Sequence, residues 1–271
     1  MISTKIMGIL NVTPDSCYDG GQYDTLDRAV AQAQKLCADG ADILDIGGES
    51  TRPGADSVSI EEELRRVIPV IQAVRPHVRI PISVDTSKAE VAAAAVEAGA
   101  TLINDVTGFS DYAMREVAVS TETEICVMHM QGQPRTMQLN PHYPEGIITH
   151  LLNWFDQRIQ ELVDFGIKEE NIILDPGIGF GKTVAHNIEI IQNLPELRAL
   201  GFRVLVGISR KSFMAKITGK DRDELLPPTI AINTLMMMEN VDIIRVHDVA
   251  EHRMVREVLE PLTACSGCSC C

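Results

Sequence analysis

The sequence of 271 residues is poor in aromatic side chains, since Phe, Tyr and Trp together make up 4% of it. A core must therefore consist mainly of aliphatic side chains, which suit buried parallel β-strands. The sequence also lacks an apolar run of the roughly 18 residues that a membrane-spanning helix needs, and its N-terminus lacks the pattern of a signal peptide. We therefore expect a cytoplasmic protein without a membrane partner.

Positive charge is scarce as well. The chain has 24 Lys and Arg residues against 38 Asp and Glu residues, which gives a formal net charge of -14. Such an acidic surface argues against nucleic acid or an anionic membrane as a partner. No Ser-, Gly- or Pro-rich linker divides the chain. Because the length is close to the roughly 250 residues of one β/α barrel, we expect a single domain.

Cysteine is concentrated at the C-terminus. Four of the seven cysteines are Cys265, Cys268, Cys270 and Cys271. Such a cluster could bind a soft metal. No further ligand spacing completes a zinc site, however, and we favour a disordered tail with free thiols. We accordingly assign residues 1–262 to the domain and residues 263–271 to the tail.

Short apolar runs alternate with helix-length stretches along the chain. The eight runs cover residues 6–10, 43–46, 82–84, 101–106, 125–128, 172–174, 204–208 and 243–246. They lead into Asn11, Asp45, Asp85, Asn104, His129, Asp175, Ser209-Arg210-Lys211 and Arg245-Val246-His247. Helical apolar patterns cover 25–39, 60–74, 87–98, 111–119, 145–165, 185–199, 211–218, 229–239 and 248–259. This alternation predicts βαβ units and a parallel sheet.

Eight such units in this length favour closure into a (β/α)8 TIM barrel of the α/β class, which brings all strand C-termini to one face. A doubly wound open sheet is the alternative. That fold usually has a glycine-rich phosphate loop after its first strand, whereas this chain has Asn11-Val12-Thr13-Pro14 there. We therefore expect the barrel, with its active site at the strand ends.

A glycine-rich segment, residues 175–183, follows the sixth run. It resembles a P-loop, but Pro176 stands where the first glycine of that motif belongs. Proline has no N–H to offer a phosphate, so we reject a nucleotide site. The segment is either a plain strand-to-helix turn or a place where the backbone approaches a flat ligand, with Asp175 as its hydrogen-bond partner.

Two groups of side chains on the expected face could bind polar parts of a ligand. Asp85, Asp175, Asn104 and Lys211 suit an aminopyrimidinone edge, because carboxylates accept paired N–H bonds and Asn both donates and accepts. Thr51-Arg52 and Arg245-Val246-His247 suit phosphate oxygens. Helix capping and ordinary surface ion pairs are the alternatives for single residues, but they do not explain several strand ends together.

Three further features stay open. Glu49 is a weaker candidate for the site. His129 could be a structural or a catalytic histidine. Met236-Met237-Met238 could belong to the core or to an oligomer surface.

Sequence motifs throughout residues 5–257 resemble those of the dihydropteroate synthases, in family order. They are residues 7–16 (MGILNVTPDS), 42–53 (DILDIGGESTRP), 84–88 (VDTSK), 103–105 (IND), 175–182 (DPGIGFGK), 209–212 (SRKS) and 245–248 (RVHD). The resemblance implies that (7,8-dihydropterin-6-yl)methyl diphosphate is joined to 4-aminobenzoate, with release of diphosphate and help from Mg²⁺.

The resemblance also implies a role for individual residues. The pterin would be held by Asp85, Asn104, Met128, Asp175, Gly207 and Lys211. The diphosphate would be held by Asn11, Thr51, Arg52, Arg245 and His247. The 4-aminobenzoate would be bordered by Pro53, Phe180, Lys211 and Ser212. Asn11 would be the metal ligand, and Asp15 joins Asn11, Arg52, Lys211, Arg245 and His247 in the catalytic set. A homodimer formed through C-terminal helices is also implied.

This chain departs from the family in its first loop. The family usually has Asp-Ser-Phe there, whereas this chain has Asp15-Ser16-Cys17-Tyr18. Tyr18 could replace the missing aromatic, or the 4-aminobenzoate pocket could be more open. Both alternatives leave the reaction class unchanged but affect substrate affinity and the response to sulfonamides.

We hypothesise a dissociative displacement, in which Mg²⁺, Arg52, Arg245 and His247 neutralise the leaving diphosphate. A neutral aromatic amine needs no strong base. One alternative is a methyltetrahydrofolate–corrinoid methyltransferase of the same barrel class, which would not need the Arg245 and His247 anion site. Another is a catalytically silent pterin-binding subunit, which altered site residues would favour.

Overall fold

The computed structural model describes residues 2–12, 22–50, 57–133 and 135–264. Eight parallel strands close into a barrel in chain order, which confirms the predicted (β/α)8 architecture. The strands are β1 (Lys5–Asn11), β2 (Ile43–Gly47), β3 (Ile82–Asp85), β4 (Leu102–Asp105), β5 (Glu124–Met128), β6 (Ile172–Asp175), β7 (Arg203–Val206) and β8 (Ile243–Val246).

Helices surround this barrel. They are α1 (Gln22–Asp39), α2 (Ile60–Val74), α3 (Ala89–Glu97), α4 (Tyr112–Thr121), α5 (Ile147–Phe165), α6 (Val184–Gln192), α7 (Leu194–Arg198), α8 (Ser212–Thr218), α9 (Leu226–Met238) and α10 (Val249–Ala264). Among the helices of the described ranges, none combines the length and the apolar character that crossing a membrane requires.

The helix ends follow local sequence signals. Ser59 accepts the backbone N–H of Glu62 at 3.2 Å and so caps α2. Helix α5 ends at Gly166, which has a φ of 111° and so adopts a conformation that disfavours a side chain. The predicted helix 185–199 is two helices, α6 and α7, because Pro195 occupies the first turn of α7 and Asn193 separates them.

The barrel interior has an apolar layer at its lower end. Side chains of alternate strand residues point inward, and seven of them form a buried cluster. These are Met7, Ile43, Leu102, Cys126, Ile173, Leu205 and Ile243. The larger cluster fills the space between the strands and the helices. The lower barrel is therefore closed by apolar side chains, and any ligand site must lie above them.

Candidate active site at the strand ends

A polar layer lies directly above the apolar layer. Each residue of this polar layer follows a member of the apolar cluster, or Ser83 on β3, by two positions and therefore faces the same interior. The set comprises Asp45, Asp85, Asn104, Met128, Asp175, Gly207 and Arg245. The strand register places Asp85 beside Asn104, and Met128 beside Asp175. The structure thus brings together five of the six residues that the sequence predicted for the pterin. The sixth, Lys211, lies after β7.

Arg245 is bound by two carboxylates within this layer. Its Nε donates to Asp45 Oδ2 at 2.5 Å, and its Nη2 donates to Asp85 Oδ2 at 2.7 Å. Burial disfavours the charge of Arg245, but Asp45 and Asp85 outweigh this effect and raise its pKa. Burial raises the pKa of Asp85 to about 7, although Arg245 opposes the shift.

Two carboxylate oxygens in the layer lack a hydrogen-bond partner among the described residues. The Oδ1 atoms of Asp45 and Asp85 are buried and have no hydrogen-bond partner in the described part of the chain. An unpaired buried acceptor costs about 1–3 kcal/mol. A bound heterocycle with N–H groups on its edge would satisfy these oxygens.

Asp175 and Lys211 form the opposite side of the site. Asp175 Oδ1 accepts the N–H of Gly177 at 2.8 Å. The Lys211 ammonium donates to the carbonyl of Ile178 and lies 4.6 Å from the centre of the Phe180 ring. Burial lowers the pKa of Lys211 to about 8, against the attraction of Asp175. Lys211 is therefore mainly charged at neutral pH.

The glycine-rich segment is a tight turn that packs on the end of β5. A Cβ atom on Gly177, where φ is 66°, would lie 1.9 Å from the carbonyl oxygen of His129. Glycine is therefore required there both by the backbone conformation and by the close approach. Of the two alternatives for this segment, the structure supports a backbone that approaches the site, because Ile178 contacts Lys211.

His247 lies beyond β8 and pairs with Ser209. Its Nδ1 lies 2.9 Å from Ser209 Oγ, and its backbone N–H donates to the same oxygen at 3.3 Å. The Oγ hydrogen can bond Nδ1 while Oγ accepts the backbone N–H, and in that arrangement the ring carries its proton on Nε2. Burial, followed by the charge of Arg245, lowers the pKa of His247 to about 4. His247 is therefore neutral at pH 7 and can act as a hydrogen-bond donor rather than as a cation.

Of the remaining predicted residues, some lie at the rim of the barrel and the others lie outside the described residues. Asn11 ends β1 at the rim, Ser212 begins α8 and is exposed, and Phe180 is half-buried. Asp15, Thr51, Arg52 and Pro53 lie outside the described residues, as do Cys17, Tyr18 and residues 265–271. Within the described residues, no group of three or more His, Cys, Asp or Glu side chains could hold a metal.

Sequence reasoning gave no role to two residues of the site. Asp45 is fully buried, and besides Arg245 it contacts the Asn104 amide at 3.5 Å. Its signal was available, because it follows the inward Ile43 by two positions in a strand of alternating residues. Ser209 was noted only as a strand end. Its contact with His247 across 38 residues has no local sequence signal.

Comparison with known proteins decides what this site belongs to. The family model described as pterin binding enzyme matches residues 7–247. The dihydropteroate synthase of Haemophilus influenzae is 48% identical over 246 residues, which are 91% of this chain and 89% of that protein. The chain belongs to the dihydropteroate synthases. This is a transferase family that acts in folate biosynthesis, and the similar proteins do not favour the corrinoid methyltransferase.

Solved dihydropteroate synthases share the fold closely. The Yersinia pestis enzyme, solved with a sulfonamide drug complex, has a TM-score of 0.91 and 42% identity, with coverage of 97% of this chain and 95% of that chain. The Xanthomonas albilineans enzyme, solved with 4-aminobenzoic acid, has a TM-score of 0.90 and 40% identity, with coverage of 96% and 93%. At this identity the likeness extends beyond the barrel to the family itself.

Proposed function

We propose that the polar layer holds the dihydropterin of (7,8-dihydropterin-6-yl)methyl diphosphate. The unpaired, buried Oδ1 of Asp85 carries this proposal, because it needs an N–H donor that the described protein does not supply. Asp175 offers a second carboxylate, and Asn104 can both donate and accept. Dihydropteroate synthase relatives support a pterin as the source of these donors.

Gly207 and Met128 shape the space for a flat ring. Among the described residues, a Cβ on Gly207 would find only Arg245 within 4 Å, its Cβ at 3.6 Å and its Cδ at 3.8 Å, so the missing side chain leaves room beside the stem of Arg245. Met128 is buried, with 3% of its surface exposed, and offers a polarizable apolar face. We therefore place the pterin ring over Met128, with its edge toward Asp85, Asn104 and Asp175.

The diphosphate would lie at the rim, among Asn11, Thr51, Arg52, Arg245 and His247. Arg245 uses two N–H groups on Asp45 and Asp85, and three of its five donors stay available for phosphate oxygens. Its ion pairs with the carboxylates therefore need not break. His247 would donate from Nε2 as a neutral group.

Mg²⁺ fits the oxygen donors at this rim. The ion usually keeps several waters and binds through one or two protein oxygens together with substrate phosphates. Asn11 would supply such an oxygen at the end of β1. Bound there, Mg²⁺ would add positive charge against the leaving diphosphate.

The 4-aminobenzoate would lie beside Phe180, Lys211 and Ser212, with Pro53 at its border. The Lys211 ammonium can attract the carboxylate of this substrate, and the Phe180 ring offers a face for its aromatic ring. The Yersinia pestis and Xanthomonas albilineans structures support an aromatic amine or a sulfonamide as a ligand of such a site. We accordingly propose that sulfonamides compete at this place.

The reaction needs positioning and charge stabilisation rather than a strong base. The bond between the pterin methylene carbon and the diphosphate oxygen breaks, and the electron pair leaves with diphosphate. Arg245 and His247 stabilise that developing charge. The neutral amine of 4-aminobenzoate then forms the new C–N bond and releases a proton to water. Holding both partners in line contributes the remaining acceleration.

An assay of diphosphate release tests this assignment. Wild-type protein should release diphosphate and form dihydropteroate only when the dihydropterin diphosphate, 4-aminobenzoate and Mg²⁺ are all present. Asp85→Asn should weaken pterin binding, whereas Asp164→Asn, on the outer helix α5, should not. Release that does not depend on 4-aminobenzoate, or an Asp85→Asn variant with wild-type pterin affinity, would contradict the proposal.

We further propose a homodimer formed through α9 and α10. These two helices pack against each other and expose large apolar side chains, namely Leu235, Met238, Met254, Val258 and Leu262. A face of this kind usually binds a partner. Val258→Asp should therefore produce a monomer in analytical ultracentrifugation, whereas Leu139→Asp, at an exposed residue elsewhere, should leave the mass unchanged.

A further inference from the structure

A buried lysine behind the active site has no role in the mechanism above. Lys182 is 3% exposed and ends the glycine-rich turn, residues 176–182. Its Nζ lies 3.0 Å from the carbonyl oxygen of Phe180, 3.3 Å from that of His129, and 3.0 Å from Nδ1 of the His129 ring. The ammonium thus ties the turn to the end of β5.

The donor character of lysine fixes the protons of its neighbours. In its protonated form Lys182 has three donors and no acceptor, so the three contacts use all of its protons and His129 Nδ1 accepts. The remaining ring proton of His129 is then on Nε2, which lies 3.2 Å from Nε2 of His150. His150 accepts there, and its Nδ1 lies 3.4 Å from Glu145 Oε1.

The contacts of Lys182 and His129 hold the part of the turn that contains Phe180. The carbonyl that Lys182 binds belongs to Phe180, whose ring lies against the Lys211 ammonium. Gln138 and Tyr143 bind the neighbouring carbonyls of Gly179 and Gly181, at 2.5 and 2.8 Å. Lys182 is therefore the side chain that contacts the backbone of Phe180 itself.

We propose that Lys182 is a positioning residue that fixes Phe180 for 4-aminobenzoate through its contact with His129. This inference rests on the proposed role of Phe180 in the 4-aminobenzoate site. The inference also assigns a role to His129, which supplies two of the three acceptors that hold the ammonium in place.

Lys182→Met is the direct test. It keeps the length of the side chain but leaves the carbonyls of Phe180 and His129 without a donor. We expect the KM for 4-aminobenzoate to rise by roughly tenfold or more, while the Kd for the dihydropterin diphosphate, measured by calorimetry without 4-aminobenzoate, stays within about threefold. Lys168→Met, at an exposed ion pair, should change neither constant.

Two amide variants of His129 separate positioning from simple stability. His129→Asn keeps an acceptor near the Nδ1 position but cannot reach His150. His129→Gln reaches toward His150 but gives up the acceptor that Lys182 uses. Both alter the same buried position and both retain the ammonium. We expect a raised KM for 4-aminobenzoate in His129→Gln and a nearly wild-type KM in His129→Asn.

The outcomes are distinct. Equal KM values in the two His129 variants, or a KM in Lys182→Met equal to that of the wild type, would overturn the inference. Phe180→Ala serves as the control for the underlying assignment, because an unchanged KM there means that the proposed 4-aminobenzoate site is wrong. If Lys182→Met does not fold, the comparison of the His129 variants still decides.

Discussion

The buried ion pairs of Arg245 yield a prediction for folding as well as for catalysis. Arg245→Met keeps the apolar stem but removes the cation that faces Asp45 and Asp85, at 2.5 and 2.7 Å. Removing one partner of a buried ion pair typically costs about 3–5 kcal/mol. We therefore expect the free energy of unfolding at pH 7.0 to fall by about that amount.

The loss of unfolding free energy should also depend on pH, and this dependence is the more specific prediction. Burial already raises the pKa of Asp85 to about 7, and Arg245 is what opposes the shift. Without Arg245, this carboxyl should keep its proton in the folded state at pH 8.5, whereas it is ionised in the unfolded chain. A folded state that binds the extra proton loses stability as pH rises, by about 1.4 kcal/mol per unit. The wild-type Asp85, with its pKa of about 7, releases part of its proton over the same range, so the difference between the variant and the wild type should grow by roughly 1.5 kcal/mol from pH 7.0 to pH 8.5.

Urea unfolding at both pH values measures this difference. Arg253→Met is the control, because its ion pair with Glu257 is half-exposed and should contribute less than about 1 kcal/mol at either pH. The double variant with Asp85→Asn lacks the titrating carboxyl and should lose the added pH dependence. An Arg245→Met variant whose loss is the same at both pH values, or whose pH dependence survives Asp85→Asn, would refute the reasoning.

Three further outcomes are expected. Asp175→Asn should raise the Kd for the dihydropterin diphosphate by about 10- to 100-fold in calorimetry, because a charged acceptor is lost; an unchanged Kd contradicts the pterin assignment. Because burial lowers the pKa of Lys211 to about 8, kcat/KM for 4-aminobenzoate should fall above that pH as the ammonium is lost, and Lys211→Arg should move the decline upward in a pH–rate profile. Gly177→Ala should lower the Tm more than Gly166→Ala, since only the former meets a carbonyl oxygen within contact distance, and equal losses would show that the close approach is relieved without cost.

Much of the site was predictable because strand geometry is local. Asp85, Asn104 and Asp175 end short apolar runs, and the alternation of strand residues places them in the barrel interior. The partners of Arg245 were not predictable in this way. Asp45 and Asp85 lie 200 and 160 residues from it in the chain, and their pairing follows from barrel closure.

The charge state of His247 was likewise decided by burial and by the nearby Arg245. The surroundings of Lys182 were not predictable from the sequence either, because its glycine-rich segment only resembles a P-loop. Its actual partner, His129, lies 53 residues away, and burial lowers the pKa of Lys182 to about 7.

The sequence by itself determined the barrel, the face that carries the site and the family, because periodicity, turn residues and motifs are properties of neighbouring residues. Only the tertiary structure decided which charges meet, which carboxylate oxygens lack a partner and which groups contact each histidine ring. Those properties depend on desolvation and on distances between strands, and neither is encoded in any short segment.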